Sequence, residues 1–148
     1  MPQSIHASAV LIGAKAALIR GPAGAGKSQL ALALIEAARA GALPFARLVG
    51  DDRVHVEANG GRLLVRPAPE LAGLLEVRGL GIRRLPHEPV AVVGLIVDLA
   101  AADADRLPAR EAAEAVIEGI VLPRLTVAPG TQALPLVLAF LDTATTCI

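Results

Sequence analysis

Gly21-Pro22-Ala23-Gly24-Ala25-Gly26-Lys27-Ser28 decides the fold of this 148-residue chain. It fits the phosphate-loop pattern G-x-x-x-x-G-K-[ST] without a mismatch. Glycines let such a loop coil tightly, so that successive backbone N–H groups point inward at phosphate oxygens. A helix starting near Ser28 adds its positive dipole end. Lys27 then reaches the terminal phosphates, and the Ser28 hydroxyl is placed for Mg²⁺. The competing reading is a chance match in a glycine-rich chain. The flanks argue against it, because a short apolar run, Ala16–Ile19, precedes the loop and an amphipathic stretch follows.

Outward from the loop, Ala9–Ile12 and Ala16–Ile19 read as strands about a Gly13-Ala14-Lys15 turn. Ser28–Ala40 reads as a helix, with Leu30, Ala33, Leu34 and Ala37 at helical spacing and Gly41 just past its end. Val54 and Val56, then Leu63 and Val65, flank Asn59-Gly60-Gly61, a hairpin signal that Pro67 and Pro69 terminate. Leu74–Val77 and Val90–Val97 read as strands. Ala109–Ile117 reads as helix or strand, and Leu134–Leu141 is an apolar element of either type. The expected fold class is α/β: a phosphate-loop core with a mixed, partly antiparallel sheet and one long helix after the loop, in a single domain spanning residues 1–148.

A phosphate loop names a ligand rather than a reaction, so a second carboxylate is needed. Two places offer one. Val92–Asp98 is an apolar strand ending in Asp98, and Leu48-Val49-Gly50-Asp51-Asp52-Arg53 follows the loop's helix. Adjacent carboxylates repel and need a metal, an arginine or a proton nearby. On a strand they would point to opposite faces. A third segment, Leu74-Leu75-Glu76-Val77-Arg78-Gly79-Leu80-Gly81-Ile82, sets Glu76 and Arg78 on one strand face beside Gly79 and Gly81. Glu76 can add a hard oxygen ligand for Mg²⁺. Glycines two apart point to backbone approaching a ligand or another chain. Arg83-Arg84 faces an acidic partner or water.

Composition removes several function classes. Lys+Arg and Asp+Glu each total 14, for a formal net charge of +0, which speaks against a nucleic-acid binder. Aromatic content is 1%, so base-stacking platforms are not expected. Hydrophobic content is 54%, yet much of it is Ala. Ala133–Leu141 is too short to span a bilayer, and Asp98 interrupts Val90–Ala102. No membrane association is expected. The lone Cys147 allows no internal disulfide, which suits a cytoplasmic location.

Four pieces in this order resemble the HPr kinase/phosphorylase family, in its catalytic C-terminal domain: His6 ahead of the first strand, Gly21–Ser28, Asp51-Asp52-Arg53-Val54 and Leu75-Glu76-Val77-Arg78-Gly79-Leu80-Gly81-Ile82. The last piece is the most distinctive. Asp105-Arg106-Leu107 and Pro123-Arg124-Leu125-Thr126-Val127 resemble later family segments more loosely. The resemblance covers roughly His6 to Val127. It implies an ATP- and Mg²⁺-dependent kinase that phosphorylates a serine of an HPr-type phosphocarrier in phosphotransferase-system regulation. It further implies a short form without an N-terminal domain, and hexameric assembly.

By match, Asp52 is the base for the serine hydroxyl, with Asp51, Arg78, Gly79 and Gly81 in support. His6 backs the acidic centre, Lys27 holds the transferring phosphoryl, and Ser28 and Glu76 carry Mg²⁺. Arg106 steadies phosphate charge, although a local ion pair with Asp103 or Asp105 is nearly as good a reading of it. The family's reverse reaction, phosphorolysis of phosphoserine, makes Asp52 an acid. Where the family carries basic residues linked to that reaction, this chain reads Ala128-Pro129-Gly130-Thr131-Gln132, so slow phosphorolysis is expected. The alternatives are a generic nucleotide hydrolase or small-molecule kinase using Asp98, or a non-catalytic nucleotide sensor. His55 and His87 are expected to be surface or strand residues without a role.

Overall fold

The computed structural model describes residues 2–105 and 108–143. Arg106, Leu107 and Cys147 lie outside the described residues. The chain order is β1 (Gln3–Ile5), β2 (Ser8–Ile12), β3 (Lys15–Arg20), α1 (Lys27–Arg39), β4 (Ala46–Gly50), β5 (Val54–Asn59), β6 (Arg62–Pro67), β7 (Leu74–Val77), β8 (Gly81–Arg84), β9 (Ala91–Asp98), β10 (Glu114–Ile117), β11 (Ile120–Thr126) and α2 (Ala133–Asp142).

Among the described residues nine strands form one mixed sheet along the path β1-β5-β6-β9-β3-β2-β4, with β11 joined to β9 and β10 to β11. β3 and β11 run parallel to β9, and β2, β4, β5 and β6 pair antiparallel. β7 and β8 form a separate two-stranded ribbon. β9 is central, and its side chains are buried on both faces over Leu95–Asp98. That explains its continuous apolar reading in place of alternation.

Period-two alternation divides the buried residues between two cores. Val10, Ile19, Leu48 and Val97 pack on one face with Leu30, Leu34 and Ile35 of α1. Ala9, Leu18, Val49 and Ile96 pack on the other face with Val54, Val56, Leu63 and Val65 of the β5–β6 hairpin. Helix α1 ends in a pair of reversing bonds, Ala42 N–H to Ala37 C=O at 2.8 Å and Gly41 N–H to Ala38 C=O at 3.1 Å. They satisfy carbonyls that the last turn would leave open.

Several expectations shift. The β5–β6 turn is Gly60-Gly61, with φ of 62° and 78°, and Asn59 is the last strand residue, paired with Arg62. The stretch 109–117 divides into a short 3-10 helix at Arg110–Ala113 and then β10. The terminal apolar element is helical, so α1 has a second helix beside it. A Cβ on Gly79 or Gly81 would meet nothing within 4 Å. Their positive φ, 90° and 93°, serves the tight reversal between β7 and β8.

Candidate active site

Strand β3 delivers the chain at Arg20, the loop follows, and α1 begins at Lys27 behind Gly26. Among the described residues no side chain caps α1, so its first N–H groups are left to face the loop's hollow. Lys27 folds over the loop and donates from Nζ to the carbonyls of Gly21 (2.7 Å) and Pro22 (3.2 Å). A cavity of about 600 Å³ lies here. It is lined by Gly21, Pro22, Ala23, Gly24, Gly26, Lys27 and Ser28 of the loop, by Gln29, and by His6, Asp52, Glu76 and Arg78. The structure thus brings together every described candidate catalytic and metal-side residue. Of the loop, Ala25 instead lines a neighbouring cavity of about 680 Å³ on the side of Gly24 and Gly26, bounded by the segment 127–135.

The two aspartates differ sharply. Asp51 is 3% exposed and accepts three donors. Ser8 Oγ donates at 2.6 Å, Ser28 Oγ donates to the two carboxylate oxygens at 2.8 and 2.9 Å, and the Glu76 N–H donates at 3.2 Å. One carboxylate therefore ties together β2, the start of α1, the end of β4 and β7. The register helps, since Ala9 pairs with Gly50 and so sets Ser8 beside Asp51. Only glycine fits before Asp51, because a Cβ on Gly50 would stand 2.7 Å from Val54 Cγ1 and 3.1 Å from Pro67 Cα.

Asp52 is exposed and lines the cavity. The pair does not sit on a strand with opposed faces. The Arg53 N–H donates to the Asp51 C=O at 2.8 Å across a one-residue reversal, and Asp52 at its centre has φ 68°. Aspartate tolerates this left-handed conformation better than most residues, but at some cost. The reversal lets both carboxylates serve one site: Asp51 holds the Ser28 hydroxyl from inside, and Asp52 faces the hollow.

Asp98 lies apart from this hollow, which disfavours the alternative that uses it. It does not line the cavity. Arg20 grips it with two bonds, Nε to Oδ1 at 2.7 Å and Nη2 to Oδ2 at 2.8 Å, and Arg124 Nε donates to Oδ2. Arg124 also makes a fork to Asp103, at 2.7 and 3.1 Å, and donates to the Ala112 carbonyl. Burial pushes the Asp98 carboxyl up, but the arginine hydrogen bonds outweigh it and hold the group below its ordinary value. The hydrogen bond to Asp103 is the main cause that raises Arg124 above its ordinary value. Asp103 thus pairs with Arg124 as a surface extension of this cluster. His55 is half-buried on β5 and His87 is exposed, and neither lines the cavity.

Sequence reasoning missed Ser8 and the Arg20–Asp98–Arg124–Asp103 cluster. Ser8 had a signal, a lone hydroxyl at the head of an apolar strand, since a buried polar group needs a partner. The donor set fits Mg²⁺: the Ser28 hydroxyl and the Asp52 and Glu76 carboxylates are hard oxygen donors around one hollow. Among the described residues no three His, Cys, Asp or Glu side chains group closely enough to hold a metal unaided. No helix among the described residues is long and apolar enough to cross a membrane.

A relative from Geobacillus thermodenitrificans named HPr kinase/phosphorylase is 34% identical over 139 residues, covering 84% of this chain and 41% of its own. One of the same name from Limosilactobacillus reuteri is 34% identical over 137 residues, covering 84% and 40%. The chain thus spans about two fifths of the length of these relatives. The solved structure of the Hpr(Ser) kinase/phosphatase from Coxiella burnetii superposes with a TM-score of 0.74 over 95% of this chain and 88% of that one, at 24% identity, and shows the shared fold. The family model described as HPr Serine kinase C-terminal domain matches residues 1–137. With that match over nearly the whole chain, and the phosphate loop, Asp52 and Glu76 gathered at one cavity, the chain belongs to the HPr serine kinase C-terminal domain family.

Proposed function

We propose that this chain transfers the γ-phosphoryl group of ATP to a serine of an HPr-type phosphocarrier protein, in cytoplasmic regulation of a phosphotransferase system. The observation that carries the reading is the single cavity shared by the phosphate loop, Asp52 and Glu76, with Asp98 locked in ion pairs elsewhere.

Phosphoryl transfer asks a protein chiefly for positioning and charge neutralisation. The loop amides and the α1 N-terminus hold the phosphate tail, and Lys27 exchanges its loop carbonyls for the transferring phosphoryl. Asp52 accepts the proton of the acceptor hydroxyl as the serine Oγ–P bond forms and the bond from phosphorus to the ADP oxygen breaks. His6 supports that acidic centre, with Arg78 beside it. Arg106, outside the described residues, steadies phosphate charge. Asp51 is a positioning residue that fixes the Ser28 hydroxyl. Ser28 and Glu76 would hold Mg²⁺, which when bound neutralises phosphate charge. Assembly as a hexamer accompanies this reading and is checked by sizing chromatography.

The test is labelled ATP with purified HPr-type carrier. Label on a carrier serine, lost in Asp52→Asn, supports the reading. Nucleotide binding without transfer would leave a sensor instead.

A further inference from the structure

We propose that the β7–β8 hairpin is the docking surface for the acceptor protein, and that it takes a partner with an apolar side chain beside the acceptor serine and carboxylates around it. This deepens the kinase reading and rests on it.

Strand register carries the inference. Glu76 pairs directly with Ile82, so the two share one face of the ribbon, with Cβ atoms about 5 Å apart. Glu76 turns that face to the cavity. Ile82 is 61% exposed, Leu80 at the hairpin tip is 67% exposed, and every residue of β8 is exposed. Arg84 lies on the Ile82 face, two residues on, and Arg83 lies on the other. The hairpin is thus one wall of the site, through Glu76 and Arg78, and continues outward as open apolar and basic surface.

Its charge selects the partner. Arg78, Arg83 and Arg84 form no ion pair among the described residues. In a chain of formal net charge +0, a hairpin with three arginines and the single carboxylate Glu76 concentrates positive charge beside the cavity. Such a surface draws an acidic partner and sets its orientation. Exposed Leu80 and Ile82 among those cations match an apolar side chain on the same partner. A small-molecule acceptor would enter the cavity without touching either.

The experiment measures KM for HPr-type carrier, KM for ATP and kcat in Ile82→Ser and in the double variant Arg83→Glu/Arg84→Glu, with Val121→Ser on β11 as an exposed apolar control. Carrier KM is expected to rise about tenfold in Ile82→Ser and at least as much in the charge reversal. The difference between the charge reversal and the wild type shrinks with added salt. KM for ATP, kcat and the control stay unchanged, which excludes misfolding. An unchanged carrier KM with an active wild type overturns the docking surface and leaves the kinase reading standing. A wild type that labels no carrier overturns the kinase reading and the surface with it. Variants that alter only the chain's self-association make the hairpin an interface between copies, and that too overturns the proposal.

Discussion

The Ser28 hydroxyl of the phosphate loop lies 2.8 and 2.9 Å from the two carboxylate oxygens of Asp51, and bonds across 23 residues of sequence. The same carboxylate takes the Ser8 hydroxyl at 2.6 Å and the Glu76 N–H at 3.2 Å. Loop, β2 and ribbon are therefore set relative to one another by a single buried carboxylate.

Removing one of its donors weakens the fold measurably. Ser8→Ala deletes a buried hydrogen bond to a charged acceptor, worth about 2 kcal/mol. Urea unfolding should show a lower midpoint with an unchanged slope. Asp51→Ala leaves three donors unpartnered and should cost more than Ser8→Ala in the same measurement.

Asp52 should behave in the opposite way. Asp52→Gly relieves a left-handed conformation and should leave stability unchanged or raise it by up to about 1 kcal/mol. Transfer should fall by about 10²–10⁴-fold with loss of the base. Paired unfolding and kinase assays check it, and a stable variant with full activity would remove Asp52 from the chemistry.

The Asp98 cluster should carry acid sensitivity. Its carboxyl sits below the ordinary 3.8 because the arginine hydrogen bonds outweigh burial. A depressed folded value stabilises above the unfolded value, and that stability is lost as pH falls through the folded one. Unfolding midpoints followed from neutral pH to about pH 3 should therefore drop more steeply in the wild type than in Asp98→Asn. At neutral pH, Asp98→Asn should cost on the order of 3 kcal/mol.

Beside the loop, the described residues lining the cavity of about 680 Å³ bounded by 127–135 include no charged or aromatic side chain, and among them only Gln29, Thr131 and Gln132 offer polar ones. Nucleotide affinity should rest on the phosphates. ATP and GTP should bind within about tenfold of one another by titration.

The same uncharged segment bears on the reverse reaction. Serine-phosphorylated carrier incubated with inorganic phosphate should release pyrophosphate slowly or not at all. Rapid release would show that no basic residue at 128–132 is needed.

What could be read from the sequence was what local chemistry determines. The Gly21–Ser28 loop, helix α1, and strands β2, β3 and β7 depend on motifs and periodicities within a few residues. The missed features are set by pairing between distant segments. The division of labour between Asp51 and Asp52 depends on the reversal at φ 68° and on a Gly50–Ala9 pairing 41 positions apart, by subtraction of their numbers. Asp98 looked available because its captor, Arg124, reaches it only once Thr126 of β11 pairs with it. Residues 109–117 were ambiguous because they contain both a 3-10 turn and a strand.

The most direct test follows phosphoryl transfer from labelled ATP to an HPr-type carrier, with the modified residue identified by mass spectrometry. Wild type and Asp98→Asn should each yield phosphoserine, and Asp52→Asn should yield almost none. Undiminished phosphoserine from Asp52→Asn, or its loss in a folded Asp98→Asn, would contradict the account.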